Sequence, residues 1–389
     1  MSKTIRASGT LHWVGVGLST GSGLRVLANR ANRVMLWGRR PDRVQACIER
    51  LGLRGQVHPN ALSADALESA VGPGDVVVSM LPTTEHVSLL QLCLRRGAHF
   101  ACSSYVSESI AHLAKQAAER GLTVLTEAGL DPGIDHLFAH DLMALSLTET
   151  GDDSADAVFT SYCGGIPEKP NGFRYRFSWA PHGVLAALRT PARYIEGGAE
   201  RVVDRPWEAV QRHIVAGEAF EVYPNRDSLP FVTQYHIPPS WRLRQFVRGT
   251  LRLAGWHQAW SEVFDVLADE DAEKIRELAN TLAARYPTTS MDRDRVVLTV
   301  ALTLSGATGR SWHGEYLLDM VGSDAESAMA TCVSVSLAVG VCEVLDGRTG
   351  TGLRRAGGDT AETSRWLAGL REHGISFTRR IGSDRGSSR

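Results

Sequence analysis

The sequence predicts a protein of the α/β class, built from a doubly wound parallel sheet and a second, α+β domain. Three observations lead to this prediction. The chain has 389 residues, which is more than one compact core usually organises. Its first third alternates strand-like with helix-like segments. After about residue 145 the composition changes, and Trp, Arg and Pro become more frequent. We therefore expect two domains that differ in architecture.

The first third consists of short apolar runs separated by segments with helical spacing of apolar residues. The predicted strands cover residues 11–16, 33–37, 75–80, 98–102 and 122–125, and the predicted helices cover 21–31, 43–50, 86–96 and 109–120. Strands that alternate with helices form βαβ units, in which the strands lie parallel in one sheet. This pattern predicts the doubly wound sheet.

The rest of the chain has fewer regular patterns. Aromatic residues alternate with Arg over residues 173–177, which predicts a half-exposed strand, and residues 296–305 read as a core strand. A long helix is predicted at 324–345 and an amphipathic helix at 360–371. The polar tail 381–389 is predicted to be disordered.

Composition excludes several classes of protein. Lys and Arg number 42 against 43 Asp and Glu, so the formal net charge is −1 and gives no general reason to expect nucleic acid or an anionic membrane as partner. With 43% hydrophobic and 22% charged residues, the chain is typical of a globular protein and not of a disordered or fibrous one. The 38 glycines indicate tight turns or close approach of the backbone to a ligand.

Cysteines, apolar runs and the N-terminus predict a cytoplasmic protein without a disulfide framework. The six cysteines are scattered and form no CxxC pair, so neither zinc nor disulfides are expected. The most apolar run, 328–342, is shorter than the ~18 residues of a spanning helix and predicts a buried helix with small residues at its contacts. Residues 1–11 lack the apolar core of a secretory signal.

A glycine-rich segment follows the first predicted strand. Its residues are Gly15, Val16, Gly17, Leu18, Ser19, Thr20 and Gly21. Glycines at a strand-to-helix turn let a diphosphate approach the backbone N–H groups and the positive end of the helix, as in Rossmann-type dinucleotide sites. The spacing GxGxxxG is a relaxed form of the usual motif, and a plain glycine-rich turn is the alternative. The position after the first strand favours a dinucleotide site.

Two arginines, Arg39 and Arg40, end the second predicted strand. A site that prefers NAD usually places an acid there for the ribose 2′-hydroxyl, whereas Arg accommodates the 2′-phosphate of NADP. No acid precedes Asp42, so the sequence predicts NADP(H). The alternative is that both arginines cover a solvated strand end.

The segment EAGLDPGIDH, residues 127–136, reads as a strand end, a turn and the start of a helix. Asp131 is of a type that caps helices, and Pro132 suits a first helical position, so the residues alone favour a capping role for Asp131. A carboxylate that caps a helix facing the cofactor can also take part in chemistry.

The LDPGID part of this segment strongly resembles the saccharopine dehydrogenase family, in particular its NADP-dependent, glutamate-forming reductases. Further stretches resemble the same family in the same order: residues 103–107, 161–167, 177–179 with 183–185, 223–228, 249–252 with 255–256, and 327–330. The similarity extends from about residue 14 to residue 376. Two stretches depart from the family pattern, residues 180–182 and 253–254, and the first of these lies in the substrate half.

The resemblance implies a domain plan and an activity. We expect a dinucleotide-binding domain at 1–135, a catalytic, substrate and dimerisation domain at 136–345, and a C-terminal segment at 346–380 that returns to the first domain. The implied activity belongs to lysine metabolism: an aldehyde, 2-aminoadipate 6-semialdehyde, condenses with the amine of glutamate, and NADPH reduces the imine to saccharopine. The reverse reaction oxidises saccharopine. A homodimer is implied as well.

The resemblance also implies roles for individual residues. Asp131 or Tyr105 would handle the proton, and Cys163 would line the same pocket, although a buried thiol is more often a packing group. Residues expected beside the cofactor are Leu81, Pro82, Ser103, Ser104, Leu130 and Pro132. Residues expected at the substrate are Tyr105, Gly133, Cys163, Trp179, Asn225 and Arg226, with Arg226 holding a carboxylate. Trp179 could equally be a core aromatic, and Arg226 a surface arginine. His136 and His140 lie one turn apart, but without a carboxylate signature no metal is expected.

Three functional hypotheses follow. The first is a saccharopine reductase. The second is an enzyme of the same fold that reduces another imine derived from an amino acid, which the departure at residues 180–182 suggests. The third is a non-catalytic NADP(H)-binding sensor. The joint presence of Tyr105, Asp131 and Arg226 argues against the third, because a sensor needs only the first domain.

Overall fold

A computed structural model describes residues 4–151, 154–177, 181–269, 271–287, 289, 292–306 and 311–384. The chain divides into two compact units. The first contains Met1–Leu137 and Met329–Ile375, and the second contains Phe138–Ala328 and Ser376–Arg389. Each unit is therefore assembled from two separate stretches of the chain.

The first unit alternates strands and helices. Its elements are β1 (Thr10–Val14), α1 (Gly23–Arg30), β2 (Arg33–Gly38), α2 (Pro41–Arg50), β3 (Val57–Ala61), α3 (Ala64–Ala70), β4 (Val76–Ser79), α4 (His86–Arg96), β5 (His99–Cys102), α5 (Glu108–Glu119), β6 (Thr123–Leu125) and the start of α6 (Ile134–Thr150), followed late in the chain by α12 (Ala328–Leu345), β15 (Gly352–Arg354) and α13 (Thr360–Glu372).

All seven strands of this unit lie in one parallel sheet, in the order β15-β6-β5-β4-β1-β2-β3. The chain moves outwards from β1 to β3 and then crosses to β4 on the other side, which makes the sheet doubly wound and confirms the predicted fold class. Two elements of this unit, β3 and α3, were not predicted from the sequence. Because β3 reads VHPNA, its Pro and Asn disfavour a strand, and it lies at the edge of the sheet, where Pro is tolerated.

Helix α12 is long and apolar enough to cross a bilayer, and it is the one such helix in the described residues, but 72% of it is buried in the fold. Its small residues allow close contacts. A Cβ atom on Gly23 of α1 would lie 1.9 Å from the carbonyl oxygen of Ser334, and one on Gly340 would lie 2.4 Å from the Trp366 ring of α13. The prediction of a buried helix with small contact residues is confirmed.

The second unit contains a mixed sheet and a set of helices. Its elements after α6 are β7 (Ala155–Pro167), α7 (Pro181–Leu188), β8 (Ala192–Glu196), β9 (Ala199–Val203), β10 (Gln211–Val215), β11 (Glu218–Pro224), α8 (Pro230–Gln234), β12 (Arg242–Leu253), α9 (Trp256–Ala259), α10 (Ser261–Ala268), α11 (Ala272–Arg285), β13 (Asp294–Gly306), β14 (Ser311–Val321) and β16 (Thr378–Asp384).

The sheet of the second unit has β7 near its middle. The strand order is β10-β11-β12-β7-β13-β14-β16, with the β8–β9 hairpin joined to β12. Strand β7 runs parallel to β12 and antiparallel to β13. One aromatic cluster, which includes Phe173, Tyr175, Trp256 and Trp260, is the core of the helical part of this unit.

Several expectations differ from the structure. The chain rejoins the first unit at Met329 and not at residue 346, because α12 packs against α1. That unit ends at Ile375, so the segment expected at 346–380 leaves the first unit before its end. Residues 378–384 form β16, which pairs with β14, so the start of the tail 381–389 is a strand and not disordered. Residues 173–177 form no strand: the aromatic side chains are buried as an alternating pattern predicts, but Arg174 has φ +55° and the segment is irregular. The helix expected from residue 324 begins at Ala328.

Candidate functional site

The residues predicted to bind the cofactor come together at the carboxyl edge of the first sheet. The glycine loop follows β1, Arg39 follows β2, Leu81 and Pro82 follow β4, Ser103 and Ser104 follow β5, and residues 127–133 follow β6. Strands β1 and β4 are neighbours at the point where the chain reverses its direction across the sheet. Ligands of doubly wound sheets bind at this edge and at this switch point.

The glycine loop has two positions with opposite steric properties. Gly15 has φ +119°, and a Cβ atom there would lie 2.9 Å from the carbonyl of Met80, so the loop itself requires this glycine. Gly17 is exposed, and a Cβ atom there would meet nothing within 4 Å. The packing of the chain therefore does not require glycine at position 17, and the space beside it is open.

Thr20, predicted to contact the cofactor, is buried and supports the loop from inside. Its hydroxyl donates to the carbonyl oxygen of Gly15 at 3.1 Å and accepts from the indole N–H of Trp13 at 3.3 Å. Arg50 of α2 donates to the Thr20 carbonyl at 3.0 Å. These bonds fix the loop between β1 and α1 in place. Leu18, by contrast, is 59% exposed.

The loop after β4 is also held in place by a buried side chain. The Nε2 atom of buried His86 lies 3.1 Å from the carbonyl oxygen of Leu81, and burial lowers the pKa of this imidazole. Leu81 is half-buried and Pro82 exposed, so both remain accessible at the sheet edge. The loop after β4 is thus fixed beside the glycine loop.

Arg39 and Arg40 differ in their surroundings. Arg40 forms an ion pair with Asp42, with Nη2 2.5 Å from Oδ2. Arg39 is exposed and has no ion pair or hydrogen bond with the described residues. Of the two, Arg39 is the guanidinium left available for a ribose 2′-phosphate.

Tyr105 and Asp131 form a hydrogen-bonded pair. The phenolic hydroxyl of Tyr105 donates to Oδ1 of Asp131 at 2.8 Å, and both side chains are partly exposed. Tyr105 follows β5 and Asp131 follows β6, two adjacent strands of the sheet. The pair offers a hydroxyl and a carboxylate side by side at the edge where the cofactor-binding loops meet.

Asp131 does not cap a helix, contrary to the preference of the residues alone. Helix α6 begins at Ile134, so Pro132 is not its first residue, and the N–H of Gly133 donates to Asp135 at 2.6 Å. Gly133 has φ +147°, and a Cβ atom on it would come within 2.1 Å of the Gly129 carbonyl oxygen. Gly133 therefore closes a tight turn, with Leu130 and Pro132 buried inside it, and this turn presents Asp131.

Glu127 is a buried acid that the sequence reading did not identify. Its backbone N–H donates to the carbonyl of Ser104 at 3.0 Å, and its carboxylate accepts from the N–H of Val106 at 3.2 Å, so it holds the chain on both sides of Tyr105. The same carboxylate lies 3.1 Å from Nε2 of His136 and 3.1 Å from Nε of Arg355. The sequence did contain one indication, an acidic residue at the end of an apolar run. A buried charge requires partners, so such an acid is a candidate for a structural or functional role.

The ionisation of Glu127 is set by these partners. Burial opposes the charged form, but the contacts with His136 and the charge of Arg355 outweigh it and lower the pKa of Glu127 to about 2. Glu127 also has φ +51°, a conformation uncommon for a residue with a side chain. A fixed, charged Glu127 thus joins the Tyr105 loop to the start of α6.

The predicted substrate residues that the structure describes in the second unit lie in a strand of its sheet or directly after one. Cys163 is buried on β7, where it pairs with Thr250 of β12 and Leu298 of β13. Asn225 and Arg226 follow β11; Arg226 is exposed and has φ +59°. Trp179 lies outside the described residues.

Neither metal ligands nor disulfides are found in the described part of the chain. It contains no group of three or more His, Cys, Asp or Glu side chains that could hold a metal ion. None of the six cysteines forms a disulfide, and burial raises the pKa of Cys102 to about 12 and that of Cys342 to about 11. These two thiols are therefore unreactive near neutral pH.

The doubly wound sheet, the glycine loop and the free Arg39 define a dinucleotide-binding protein of the Rossmann type. Residues 11–125 match the saccharopine dehydrogenase NADP binding domain, and residues 129–375 match the saccharopine dehydrogenase C-terminal domain. The chain belongs to the saccharopine dehydrogenase family, and the cofactor of its first unit is NADP(H).

Several relatives carry related names. A saccharopine dehydrogenase [NADP(+), L-glutamate-forming] of Pyricularia oryzae is 36% identical over 236 residues, which are 57% of this chain and 51% of the fungal protein. The mitochondrial alpha-aminoadipic semialdehyde synthase of Bos taurus is 34% identical over 55% of this chain and 24% of its own length. The alignments thus span about half, or less, of the length of these relatives.

A solved structure is similar to this chain over more of its length than these relatives are. The apo saccharopine dehydrogenase (L-Glu forming) of Saccharomyces cerevisiae has a TM-score of 0.78 and 25% identity, and the match covers 96% of this chain and 99% of the yeast chain. The fold of both units is therefore that of the yeast protein.

Proposed function

We propose that the protein is an NADP-dependent saccharopine dehydrogenase of the glutamate-forming type. In this reaction 2-aminoadipate 6-semialdehyde and L-glutamate condense to an imine with loss of water, and the imine is reduced to saccharopine; the reverse direction oxidises saccharopine. The observation that carries the proposal is the hydrogen-bonded pair of Tyr105 and Asp131 at the cofactor edge of the sheet.

This pair fits the proton transfers that the condensation requires. The carbinolamine formed from amine and aldehyde loses its hydroxyl as water only when that oxygen is protonated, and the amine must lose a proton in the same sequence. Asp131 accepts a hydrogen bond from the phenolic hydroxyl of Tyr105, so a carboxylate and a phenol lie next to each other. A carboxyl–phenol pair can give a proton in one step and take one back in the next.

The cofactor supplies the hydride that reduces the imine, and the first unit supplies its binding site. Gly17 leaves room for the diphosphate, Gly15 keeps the loop close to β4, and Arg39 is available for the 2′-phosphate. The tight turn at Gly133 holds Asp131 at the same edge of the sheet. The second unit contains cationic side chains that suit a substrate with several carboxylates, and the exposed Arg226 is the one predicted to hold a carboxylate.

A steady-state assay tests the proposal. The protein is mixed with NADPH, L-glutamate and 2-aminoadipate semialdehyde, and the loss of nicotinamide absorbance is followed; saccharopine with NADP⁺ gives the reverse reaction. Turnover in both directions is expected. Turnover with a different amine–aldehyde pair, and none with this one, would favour another imine reductase of the same fold. NADPH binding without turnover of any pair would favour a sensor.

We further propose that the protein forms a homodimer through its second unit. Large apolar side chains are exposed on the strands of that unit: Val202 is 63% exposed, Ile214 50%, Val321 41% and Ile381 39%. A surface that another chain covers in an oligomer exposes apolar side chains in the single chain. Light scattering coupled to gel filtration measures the mass in solution, and a monomer would contradict this proposal.

A further inference from the structure

The loop after β11 holds Arg226, the residue predicted to bind a substrate carboxylate, in an uncommon backbone conformation. Arg226 is exposed and has φ +59°, which lies in the left-handed region. A residue with a side chain adopts this region at a cost in free energy and keeps it only where its surroundings impose it. The contacts of the loop therefore fix the direction in which the Arg226 side chain leaves the backbone.

Two strands hold the backbone on both sides of Arg226. Its carbonyl oxygen accepts from the N–H of Arg193 on β8 at 2.9 Å, and the N–H of Ser228 donates to the Arg193 carbonyl at 2.8 Å. The N–H of Asn225 donates to the carbonyl of Arg248 on β12 at 2.9 Å, and the N–H of Arg248 donates to the hydroxyl of buried Ser228 at 3.0 Å. The loop is thus fixed between β8 and β12.

A side-chain ion pair adds to this anchoring. Nη2 and Nε of Arg193 donate to Oδ2 of Asp227 at 2.7 and 3.1 Å, although 34 residues separate the two. The other carboxylate oxygen of Asp227, Oδ1, accepts from the N–H of Leu229 at 2.9 Å. Asp227 therefore binds β8 with one oxygen and its own loop with the other, directly after Arg226 in the chain.

The location of this ion pair indicates positioning of the loop and not global stability. Of both side chains, 43% is exposed, and exposed ion pairs contribute little to the free energy of unfolding. The ion pair of Arg95 with Glu68 in the first unit is similar, since it is exposed and has two contacts of 2.9 Å, but no predicted site residue adjoins it in the chain. Asp227 differs from Glu68 in being the direct neighbour of Arg226.

We infer that Arg193 and Asp227 are positioning residues for the carboxylate-binding Arg226. The contact of the Arg193 guanidinium with Asp227 keeps the loop in the arrangement in which Arg226 receives a carboxylate, so that substrate binding does not first have to order the loop. This inference rests on the proposed function, which supplies an aliphatic substrate with several carboxylates.

Two substitutions break the ion pair without removing the other contacts of the loop. Arg193→Met removes the guanidinium and leaves the backbone bonds of β8 in place, and Asp227→Asn removes the charge but keeps an oxygen for the N–H of Leu229. Arg193→Met also removes the 3.5 Å contact with Glu200, which Asp227→Asn leaves intact. Each substitution is made in the wild type and together with Arg226→Ala.

The measurements distinguish positioning from a purely structural role. KM and kcat for saccharopine, NADPH affinity and the melting temperature are determined for the full-length protein, and hydrogen exchange is followed at the N–H of Ser228. Glu68→Gln is the matched control, because it breaks the exposed ion pair with Arg95 far from Arg226 in the chain.

We expect Arg193→Met and Asp227→Asn each to raise KM about three- to tenfold, because fewer molecules hold the loop in the binding arrangement. The value of kcat should stay within about twofold, NADPH affinity should not change, and hydrogen exchange at Ser228 should become faster. Together with Arg226→Ala, neither substitution should raise KM further, since both act through Arg226. Glu68→Gln should match the wild type throughout.

The outcomes separate the inference from the proposed function. Wild-type KM in both variants overturns the inference, and so does a rise in KM that is equal with and without Arg226. If saccharopine is not turned over, the proposed function fails, and the same variants are compared by calorimetry with glutarate, a simple dicarboxylate. Glutarate affinity that falls in both variants only while Arg226 is present supports the inference, whereas a wild type that does not bind glutarate overturns it.

A further variant covers the case in which Arg193→Met does not fold. Arg193→Lys keeps the charge at this position and loses the planar guanidinium. It should raise KM in the same direction as Asp227→Asn does, again only in the presence of Arg226. Wild-type KM in both Arg193→Lys and Asp227→Asn overturns the inference.

Discussion

The hydroxyl of Tyr105 donates a 2.8 Å hydrogen bond to Asp131, although 26 residues separate them in the chain. The contact exists because β5 and β6 are parallel neighbours, so that the loops after both strands emerge at one edge. It links the glycine-closed turn at residues 129–133 to the loop held by Glu127.

Asp131→Asn should lower kcat by about 10²- to 10⁴-fold, because an amide cannot exchange the proton that the carboxylate does. Tyr105→Phe should also lower kcat, because it removes the hydroxyl of the pair. NADPH affinity should stay near that of the wild type in both variants. Asp65→Asn, which neutralises an exposed acid in the first turn of α3, is the control and should keep full activity. Full activity of Asp131→Asn would remove this residue from the acid–base role.

Gly17→Ala should weaken NADPH binding at least about tenfold without changing the melting temperature, because the added methyl group occupies space for the diphosphate and contacts no protein atom. Gly172→Ala is a matched control: it is also exposed and also has no atom within 4 Å of an added Cβ. Fluorescence titration with NADPH measures the affinities. Equal affinity in Gly17→Ala and the wild type would place the diphosphate elsewhere.

Arg39→Ala should reduce the preference for NADPH over NADH more than Arg40→Ala does. Arg39 is exposed without a protein partner, whereas Arg40 is held by Asp42, which raises the pKa of Arg40 and lowers that of Asp42. The ratio of kcat/KM for the two cofactors is the measurement. A larger effect from Arg40 would reverse the assignment.

Glu127→Gln should destabilise the protein most at neutral pH. The pKa of Glu127 is lowered from 4.5 to about 2, so the folded state favours its charged form. The resulting stability is present above pH 4.5 and is lost as the pH falls towards 2; it is on the order of 3 kcal/mol. The deficit of the variant should therefore shrink between pH 7 and pH 3.

Denaturation at both pH values checks this, with Glu49→Gln as a control. Glu49 is exposed and its pKa is lowered by the hydrogen bonds of Gln45 and Arg54, so its removal should matter little at either pH. An equal deficit of Glu127→Gln at pH 7 and pH 3 would show that its charge is not what stabilises the fold.

The sequence predicted most of the first sheet because its strands are fully buried and its helices amphipathic, and α4 lies at the predicted residues. It did not predict β3, because Pro59 disfavours a strand and is tolerated here only because β3 lies at the sheet edge. It also predicted a strand at residues 173–177, where the alternating aromatic residues are buried but form no strand. The pattern of apolar residues along a segment shows that its side chains are buried, but it does not show which distant segments they pack against.

The same limit applies to the candidate site. Asp131 reads locally as a helix cap, and only Tyr105, brought close by the neighbouring strand, gives it another partner. Glu127 was not identified, because its importance lies in its burial and in the counter-charges that distant segments bring to it. Such information exists only in the folded chain.

The contact between Gly23 and Ser334, 311 residues apart, has a consequence for biosynthesis. The first unit needs α12 and β15 to cover α1 and complete its sheet, so its N-terminal part must wait while the ribosome makes most of the chain. Until then, apolar residues of α1 and β6 stay exposed in the nascent polypeptide, where chaperones can bind them. The dinucleotide-binding unit thus depends on two stretches of the chain that are synthesised at different times.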